Sequence, residues 1–521
     1  MFSIKEIDLQ GRIGLIETPK GKIETPAFFP VVHPIRQTLP TEIIKNIGFE
    51  SVMTNSYIMF KEASQEVLEK GIHSFIKFDG PIMTDSGGYQ VLEYGKISTN
   101  PLEISNFQEE IGTNFANILD SPTGMKTSYK EAQKSVQDTL ESSKLTLDSL
   151  NDRNAIWMGP IQGGKYDDLV KYSATETAKL DFDMFSIGSP TEMMENYNFK
   201  MLAKMIITAK ENLPFEKAVH LFGLGHPMTI PLTVALGCDT FDSASYMLYA
   251  KQGRYMTEFG TKRINEIKYL PCVCEICSKY SIEDIKELEI EKKQNKIAVH
   301  NLYMLKKEIE TTKQAIREGR LWEYVGIKAR AHPRLWDAFL EIKEQSKTFT
   351  EYMPEFKNKG LFLSSYPDNF RPEIIKTVEK LQKYFKSCDE NIVVIIPKTE
   401  SNIFKGQLFH QLQEELDHKK CMIGFVSEIL GLIPTEIAEI YPMSQIETSS
   451  EMQNDHRIFN DFVKNLNGQL EALNPNYIYW IDNKNKFRQT YDMIKERINI
   501  KYIELQELEI ESLLNDIKSK Y

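Results

Sequence analysis

Short apolar segments alternate with amphipathic, helix-length segments through the first half of the chain. The longer segments, such as residues 102–111, 129–150 and 193–212, repeat apolar positions with helical spacing. The short segments predict eight strands, at Ala27–Val31, Ser51–Thr54, Ile82–Ser86, Ala116–Asp120, Ala155–Gly163, Phe182–Gly188, Ala218–Gly225 and Thr240–Ala244. Eight alternations of strand and helix predict an α/β fold, a (β/α)8 TIM barrel. A doubly wound open sheet is the structural alternative, although no G-x-G-x-x-G motif follows the first strand.

The two ends of the chain differ from this repeat. The first 30 residues alternate Gly, Pro and Thr with apolar pairs, which predicts a small β-meander that covers part of the fold. Around residues 345–365 the pattern changes, and a charged helix is predicted at 503–519. Three strands are predicted between them, at Ile392–Pro397, Met422–Val426 and Tyr477–Ile481. We therefore predict a catalytic barrel domain, residues 1–345, and a smaller α/β accessory domain, residues 346–521.

Polar or glycine residues occupy the C-terminal ends of six successive predicted strands. A barrel enzyme places its catalytic groups at these ends, because the ends meet at one face of the barrel. Each of these residues, considered alone, is typical of a turn or of a helix cap. As a series they predict one shared pocket, lined by Asp85, Asp120, Gln162 with Gly163, Gly188, Gly223 and Asp242.

Some of these ends carry groups that suit a flat, purine-like ring. Asp120 can accept hydrogen bonds from both N1–H and the 2-amino group of a purine edge, and Gln162 adds an amide donor. The motif DSGGYQ, residues 85–90, includes Gly87, whose backbone can approach a ligand closely. Tyr89 offers an aromatic face on which a ring can stack, although core packing explains a lone Tyr equally well.

Three carboxylates, those of Asp85, Asp120 and Asp242, fall in the predicted pocket. Carboxylates in different environments can divide the work of a nucleophile and a general acid/base. The residue types therefore suit glycosyl transfer through a covalent intermediate, by analogy with retaining glycosidases. His220 and His226 lie near the same strand ends, and we interpret each as a hydrogen-bonded structural histidine and not as a base.

A metal-ligand motif follows the last predicted barrel strand. Cys272, Cys274 and Cys277 form C-x-C-x-x-C, and His300 comes after a charged helical segment. Cys₃His is a complete tetrahedral set for structural zinc, with no position left open for catalysis. The other three cysteines are scattered, which suits free thiols in a reducing compartment and not a disulfide framework. We predict one Zn²⁺ per chain, in a subdomain at about residues 265–305.

Basic residues occur after the eighth strand and again after the metal motif. Basic side chains interleaved with aromatic ones suit a nucleic-acid backbone, and a solvated helix face explains them equally well. The candidates for contact with nucleic acid are Lys251 and Arg254, on the predicted pocket side, and Lys328, Arg330 and Arg334 in GIKARAHPRLW.

Net charge and hydropathy exclude some classes of partner for the chain. A net charge of −11 argues against a protein that coats nucleic acid by bulk charge, and it allows a local basic face. No apolar run approaches the ~20 residues that span a bilayer. The N-terminal sequence MFSIKEIDLQGR lacks the layout of a signal peptide. We expect a cytoplasmic protein with no membrane partner.

Five motifs occur in a fixed order within residues 1 to about 340, namely DSGGYQ, IQGG, HLFGLGHP, GCDTFDSASYMLYA and C-x-C-x-x-C…H. In combination they resemble the motifs of the tRNA-guanine transglycosylases. The segments YGKISTN, FQEEIG and GRYMT are similar to the archaeal branch in particular. The resemblance implies a (β/α)8 barrel with a zinc subdomain, a pentosyltransferase that acts on tRNA.

The resemblance also implies roles for single residues. An aspartate at the position of Asp242 attacks C1′ of the target ribose and displaces guanine, and one at the position of Asp85 handles protons on the leaving and incoming bases. The base would be bound by Ser86, Gly87, Tyr89, Asp120, Gln162, Gly163, Gly188, Phe222 and Gly223. Archaeal members insert 7-cyano-7-deazaguanine (preQ0) at a D-arm guanosine, of the position 15 type, in archaeosine biosynthesis. The target nucleotide must leave its stack to reach the pocket.

Three features depart from the archaeal pattern. Gly88 stands where archaeal members often carry Ser, and IGSPTEM, residues 187–193, replaces a usual Gly-Gly followed by apolar residues. Pro190 has no N–H to offer a base substituent, which leaves the incoming base open. No terminal PUA domain is recognisable, and a separate PUA-type protein is the candidate partner for tRNA delivery. The family further implies a homodimer.

Two alternatives stay open. One is a non-catalytic tRNA-binding subunit of a transglycosylase complex, against which the presence of both Asp85 and Asp242 argues. The other is a related transglycosylase that uses a queuine-type base or acts on DNA.

Overall fold

The computed structural model describes residues 2–88, 100–150, 153–344, 349, 351–397, 406–482, 488–494, 500–504 and 508–521. Contacts within the chain divide it into two compact units, Met1–Glu344 and Gln345–Tyr521. Within the described ranges, no helix is both long and apolar enough to cross a membrane.

The first unit begins with the predicted meander. Its strands are β1 (Phe2–Asp8), β2 (Gly11–Thr18) and β3 (Gly21–Glu24), which pair antiparallel in this order. Ile16 and Ile23 point inward and pack with residues of the following strands in one apolar cluster. Burial of these side chains fixes the meander on the rest of the unit.

Eight parallel strands follow and form a barrel. They are β4 (Ala27–Pro30), β5 (Val52–Asn55), β6 (Ile82–Asp85), β7 (Phe115–Asn117), β8 (Ile156–Ile161), β9 (Met184–Ile187), β10 (Val219–Leu221) and β11 (Thr240–Ser243). The sheet runs in the order β4-β11-β10-β9-β8-β7-β6-β5. Val31 bridges to Met53, and the Val32 N–H donates to the Met53 carbonyl at 2.8 Å, which joins the two edge strands. The barrel prediction is confirmed, and the open sheet is excluded.

An ion pair joins the meander to the N-terminal end of the barrel. Arg12 of β2 donates from Nε to Oδ1 of Asp239 at 2.9 Å, and it makes a second bond from Nη2 to Oδ2. Asp239 directly precedes β11, and its Oδ2 also accepts the Val219 N–H at 2.8 Å. Both side chains are at most 1% exposed.

Helices surround the barrel and extend beyond it. In the first unit they are Thr41–Asn46, Ser56–Glu62, Ser64–Lys70, Ile72–Ile76, Pro101–Glu110, Tyr129–Ser149, Asp167–Thr177, Thr191–Glu195, Phe199–Lys210, Ile230–Ala235, Ser245–Lys251, Glu275–Lys279, Ile282–Glu287, Ile290–Arg317, Leu321–Ala329 and Pro333–Glu344. A short hairpin, β12 (Arg254–Thr257) with β13 (Gly260–Arg263), follows β11. Two barrel helices begin with a capping box, in which Asn100 and Ser128 accept the N–H of the third helical residue.

The helix predicted over 193–212 is interrupted. It consists of Thr191–Glu195 and Phe199–Lys210, separated by a turn in which Tyr197 has a positive φ of 57°. The Tyr197 N–H bonds to the Met194 carbonyl and the Asn198 N–H to the Met193 carbonyl, which ends the first helix. The apolar spacing continues through the turn, so periodicity alone does not reveal it.

The second unit contains a five-stranded sheet. Two further strands form a separate pair. In chain order, the described strands of the second unit are β14 (Leu361–Leu363), β15 (Ile392–Ile395), β16 (Cys421–Ser427), β17 (Gly431–Pro434), β18 (Ile446–Thr448), β19 (Tyr477–Asp482) and β20 (Ile500–Glu504). The main sheet runs β17-β16-β15-β19-β20, parallel except for β17, and β14 pairs with β18. The helices are Pro372–Lys386, Gln407–Glu415, Ser450–Asn454, His456–Leu473, Arg488–Ile494 and Ile510–Lys518.

The three strands predicted for this unit are confirmed as β15, β16 and β19. The predicted terminal helix at 503–519 is wrong at its start, because residues 500–504 form β20 and the helix spans Ile510–Lys518. Ile500 and Tyr502 pair with Ile478 and Trp480 of β19. Pairing along an existing apolar strand outweighs the charged composition that suggested a helix.

Candidate active site

A large pocket opens at the C-terminal ends of the barrel strands. Its cavity measures about 1350 Å³. The predicted site residues that line it are Asp85, Ser86, Asp120, Gln162, Gly188, Phe222, Gly223, Asp242, Lys251 and Arg254. The pocket therefore gathers groups from several strands, as the pattern of strand ends predicts. Tyr89 lies outside the described residues.

Asp242 has one oxygen engaged and one oxygen available. Its Oδ1 accepts a hydrogen bond from the Gly223 N–H at 2.9 Å and from His220 Nε2 at 3.1 Å. Among the described residues, Oδ2 has no hydrogen-bond partner, and Asp242 lines the pocket. A carboxylate fixed through one oxygen presents the other in a defined direction, as a nucleophile requires.

His220 has a more specific position than the sequence indicates. It is fully buried, and its Nδ1 lies 2.9 Å from Thr240 Oγ1. Because the Asp242 carboxylate only accepts, we assign the ring proton to Nε2, and the Thr240 hydroxyl then donates to Nδ1. His220 pairs with Thr240 across β10 and β11, so one histidine spans two residues on the same face of β11. It positions the carboxylate that we predicted as the nucleophile.

His226 agrees with its interpretation as a structural histidine. Burial, together with the positive charges of Arg254 and Lys328, lowers the pKa of His226 to about 3. The ring is therefore neutral, and its Nδ1 accepts the Met228 N–H at 3.2 Å.

Asp85 lies at the end of β6, across the pocket floor from Asp242. Its Oδ2 accepts from Asn55 Nδ2 at 2.9 Å. Burial raises the pKa of Asp85 to about 7, and the negative charges of Asp120 and Asp242 add to this, while donation from Gly87 and Asn55 opposes it. Near neutral pH the group can therefore both give and take a proton, as a general acid/base must.

Asp120 and Gln162 form one hydrogen-bonded unit. Gln162 Nε2 donates to Asp120 Oδ2 at 2.5 Å, and the Gln162 side chain is buried. Burial raises the pKa of Asp120 to about 6, and the bond from Gln162 lowers it. The unit presents acceptor and donor groups side by side on the pocket wall, which suits the polar edge of a purine.

Ser189 is a functional candidate that the sequence analysis did not select. Its hydroxyl donates to Gln162 Oε1 at 2.9 Å and accepts the Thr123 N–H at 2.9 Å. The Thr123 N–H also reaches Gln162 Oε1 at 3.1 Å. With two donors on Oε1, the amide of Gln162 must turn its NH₂ group toward Asp120. Ser189 adopts a positive φ of 64°, a conformation that favours glycine.

The four metal-ligand candidates come together. Ligand atoms of Cys272, Cys274, Cys277 and His300 all lie within 4.8 Å of one another, so the cluster can bind a metal ion. His300 Nε2 lies 2.9 Å from the Met256 carbonyl, which only accepts. The ring proton is therefore on Nε2, and the lone pair of Nδ1 faces the thiols. The Tyr255 ring stacks on His300 at 3.6 Å and fixes its plane.

Comparison with known proteins adds a family to this geometry. A family model described as queuine tRNA-ribosyltransferase matches residues 8–334. The chain is 40% identical to a tRNA-guanine(15) transglycosylase of Sulfolobus acidocaldarius, over 87% of this chain and 90% of the relative. Relatives with the same name occur in Saccharolobus solfataricus, at 39% identity over 87% of this chain and 92% of the relative, and in Methanococcus aeolicus, at 36% over 99% and 80%.

The chain belongs to the tRNA-guanine transglycosylase family. It is an enzyme of a glycosyltransferase family that modifies tRNA by exchange of a guanine base, and tRNA is its substrate. The pocket of this transglycosylase is lined by Asp242, by Asp85 and by the hydrogen-bonded pair of Asp120 and Gln162.

Two glycines bring the backbone of the transglycosylase into contact with the side chains of Asp120 and Gln162. A Cβ atom at Gly88 would collide with the Asp120 carboxylate, and one at Gly188 would collide with the Gln162 amide. A side chain at position 88 would therefore require the Asp120 carboxylate to shift. Pro190 precedes the helix Thr191–Glu195 and brings no N–H to the pocket.

The basic candidates of the transglycosylase separate into two groups. Lys251 is exposed and Arg254 half-buried, and both line the pocket. Arg330 and Arg334 are exposed but do not line it. Lys328 is only 2% exposed, because its ammonium pairs with Glu308 at 2.7 Å and donates to a backbone carbonyl. This burial argues against a contact between the Lys328 ammonium and tRNA.

Proposed function

We propose that this transglycosylase replaces the guanine at position 15 of tRNA with preQ0, through a covalent intermediate on Asp242. The position follows from the names of its relatives, tRNA-guanine(15) transglycosylases. The observation that carries the chemistry is the asymmetry of Asp242, whose Oδ1 is bonded to His220 and Gly223 while Oδ2 is available to the pocket.

The proposed first half-reaction breaks the glycosidic bond. Oδ2 of Asp242 attacks C1′ of the target ribose, and the bond from C1′ to N9 of guanine breaks as the new C1′–O bond forms. The electron pair leaves with N9, which takes up a proton from Asp85. A pKa of about 7 supplies that proton near neutral pH.

The second half-reaction reverses these steps with a different base. The incoming base gives its N9 proton to Asp85, its N9 attacks C1′, and Asp242 is released as a carboxylate. Asp120 and Gln162 bind the polar edge of both bases, so leaving and incoming base use the same wall. One bond is broken for each bond formed, and the exchange requires no nucleoside triphosphate.

The remaining proposals concern parts of the protein away from the reacting atoms. Cys272, Cys274, Cys277 and His300 would bind a structural Zn²⁺, which would fix the segment that follows β13. Lys251 and Arg254 would contact the tRNA backbone at the pocket mouth. Residues 1–345 would form the catalytic domain and residues 346–521 an accessory domain.

The test uses full-length tRNA that carries radiolabelled guanine only at position 15. We expect wild-type protein to release the label when preQ0 is added and to form an RNA–protein adduct that survives denaturing electrophoresis. Asp242→Ala should do neither. Asp148→Ala, an exposed aspartate on the helix Tyr129–Ser149, is the matched control and should behave as wild type.

Three outcomes would contradict parts of the proposal. Release by Asp242→Ala would remove the assigned nucleophile. Release only with 7-aminomethyl-7-deazaguanine would replace preQ0 as the incoming base. Release only from a tRNA labelled at another guanosine would change the position.

A further inference from the structure

The pocket is larger than one that encloses a single drug-sized ligand. Pockets that enclose one drug-sized ligand measure about 300–1,000 Å³, and this cavity measures about 1350 Å³. The reacting wall uses residues at the strand ends. The same cavity is also lined by aromatic side chains that the proposed exchange does not use, namely Tyr197, Phe199, Tyr249, Phe259 and His332.

Two of these rings form a stacked pair. The rings of Tyr197 and His332 lie 4.8 Å apart with their planes inclined by 23°. Tyr197 is nevertheless 45% exposed. His332 covers one face of the Tyr197 ring, and Phe199 contacts the ring in a T-shaped arrangement with the centroids 5.7 Å apart. Tyr197 thus lines the cavity with part of its ring exposed, while His332 and Phe199 support it.

The support is built into the fold. Tyr197 precedes the helix Phe199–Lys210, and His332 precedes the helix Pro333–Glu344. Glu341 of the second helix forms ion pairs with Lys200 and Lys204 of the first, at 3.1 Å and 3.4 Å. Glu341 lies in the last turn of the second helix, so these ion pairs join its C-terminal end to the start of the first helix.

The backbone at Tyr197 is unusual for its side chain. A positive φ of 57° favours Gly, Asn or Asp, and a bulky residue there is rare. Asn occupies both neighbouring positions, 196 and 198, yet the turn places Tyr at the left-handed position. Strained residues that surrounding structure retains cluster at ligand sites.

The chemistry of the substrate indicates what would cover this surface. A guanosine that enters the pocket leaves its stack, and the nucleotides beside it each lose a stacking partner. An aromatic face at the pocket mouth can replace that partner for any base. The Arg254 guanidinium, which lies 3.8 Å from the Tyr249 ring, adds positive charge to the same cavity for the connecting phosphate.

We propose that Tyr197, supported by His332, stacks on the base of a nucleotide adjacent to the extruded guanosine. This inference rests on the proposed base exchange and adds a second base-binding subsite to it. The subsite recognises an aromatic face and not a base edge, so it selects for the presence of a neighbouring base and not for its identity.

The test combines protein variants with tRNAs that lack one base. Full-length tRNA is prepared with an abasic site immediately 5′ or immediately 3′ of the target guanosine. With intact tRNA, Tyr197→Ala should lower kcat/KM for guanine release by at least about five-fold. Tyr197→Phe, which keeps the ring, should stay within about two-fold of wild type. On one of the two abasic tRNAs, wild type and Tyr197→Ala should be equally slow.

A second variant separates stacking from folding. Tyr197→Asn removes the ring and suits the left-handed backbone, so it should fold at least as stably as wild type and still show the loss. Tyr172→Ala, a similarly exposed tyrosine outside the cavity, is the matched control. If the loss from Tyr197→Asn is the same on intact tRNA and on both abasic tRNAs, or is absent, the subsite is overturned.

A binding measurement distinguishes this failure from failure of the proposed exchange. 2-Aminopurine is placed beside the target guanosine, and its fluorescence should be quenched by Asp242→Ala protein but not by the double variant with Tyr197→Asn. This readout needs no catalysis. Quenching without guanine release in wild type would contradict the exchange alone, and release without quenching would contradict the subsite alone.

Discussion

Aspartates lie at both ends of the barrel, and their surroundings differ. At the N-terminal end, Asp239 forms a two-bond ion pair with Arg12. At the C-terminal end, Asp85 and Asp120 accept bonds from Asn55, Gln162 and backbone N–H groups, and within the described part of the chain neither meets a Lys or Arg. The negative charge of Asp239 is therefore neutralised by Arg12, while Asp85 and Asp120 have no cation beside them among the described residues and can titrate.

This difference distinguishes an aspartate that stabilises the fold from aspartates that can exchange protons. A buried carboxylate with a full ion pair stabilises the charged form and contributes to the fold. Asp85 and Asp120 are half-buried and partly desolvated without a nearby cation in the described ranges, which raises their pKa values, so they can exchange protons near neutral pH. Asp239 directly precedes β11 and Asp242 lies on it, so the ion-paired aspartate and the pocket-lining aspartate are only three positions apart.

The largest effect is expected at Asp242. Asp242→Asn keeps an oxygen that accepts from His220 and Gly223 but removes the nucleophile, so guanine release should fall by at least about 10⁴-fold. The free energy of unfolding should stay within about 1 kcal/mol of wild type, because no ion pair is lost. Urea denaturation and the release assay measure the two quantities. A marked loss of stability would show that Asp242 also stabilises the fold, and it would contradict the proposed difference between the two barrel ends.

At the opposite end, Arg12→Met should have the reverse profile. It leaves Asp239 buried without its cation, which destabilises by about 3–5 kcal/mol. Burial and the Arg12 charge lower the pKa of Lys210 to about 7. Lys210 can therefore take up a proton in the variant and partly replace the lost positive charge. We therefore expect a destabilisation near the lower end of this range. Guanine release per folded molecule should be unchanged.

The control for this variant is Arg12→Met combined with Asp239→Asn. Removal of both charges should recover part of the lost stability. If the double variant is as unstable as Arg12→Met, packing and not charge accounts for the effect.

A third, smaller effect concerns pH. The pKa of Asp85 is raised from 3.8 to about 7 in the folded protein. Between these values the native state binds more protons than the unfolded state, so this contribution to stability is full below about pH 4 and is lost as pH rises through about 7. Relative to wild type, Asp85→Asn should therefore gain about 1–3 kcal/mol between pH 5 and pH 8. Denaturation at both pH values measures it.

The catalytic counterpart is a pH profile. Guanine release by wild type should decline above about pH 7, where Asp85 has lost the proton that the leaving base needs. The residual activity of Asp85→Asn should lack this decline. An unchanged profile in Asp85→Asn would assign the titration to another group, of which Asp120 is the nearest candidate.

The smallest effect is expected at Ser189. Ser189→Gly removes one hydrogen bond to Gln162 and suits the positive φ, so the KM for the free base should rise about two- to ten-fold. Ser189→Ala also lacks the hydroxyl but keeps the unfavourable backbone, and should be the less stable of the two. Thermal denaturation and base-exchange kinetics compare them. Equal KM values for the base in all three proteins would exclude a role for the hydroxyl.

The barrel could be predicted from the sequence because strand length and period are local signals. Polar residues at strand ends indicated the pocket for the same reason, since parallel strands end at one face. The role of His220 could not be predicted, because its partners Thr240 and Asp242 lie on another strand and are reached only through register.

Other residues depended on packing that no local pattern contains. Lys328 belongs to a basic segment in the sequence, and its burial follows from the partner Glu308 on a different helix. The turn at Tyr197 interrupts a continuous apolar spacing. Ser189 differs from an ordinary loop serine only by its φ and by the amide that it contacts.

The short distance between Asp239 and Asp242 has an evolutionary consequence. Because the ion-paired anchor, Asp239, and the proposed nucleophile, Asp242, are separate residues, a duplicated gene that lost Asp242 would still encode the same barrel. Selection could retain such a copy as a silent RNA-binding companion of the active protein, or could install a different reaction at the same rim, without first having to rebuild the scaffold.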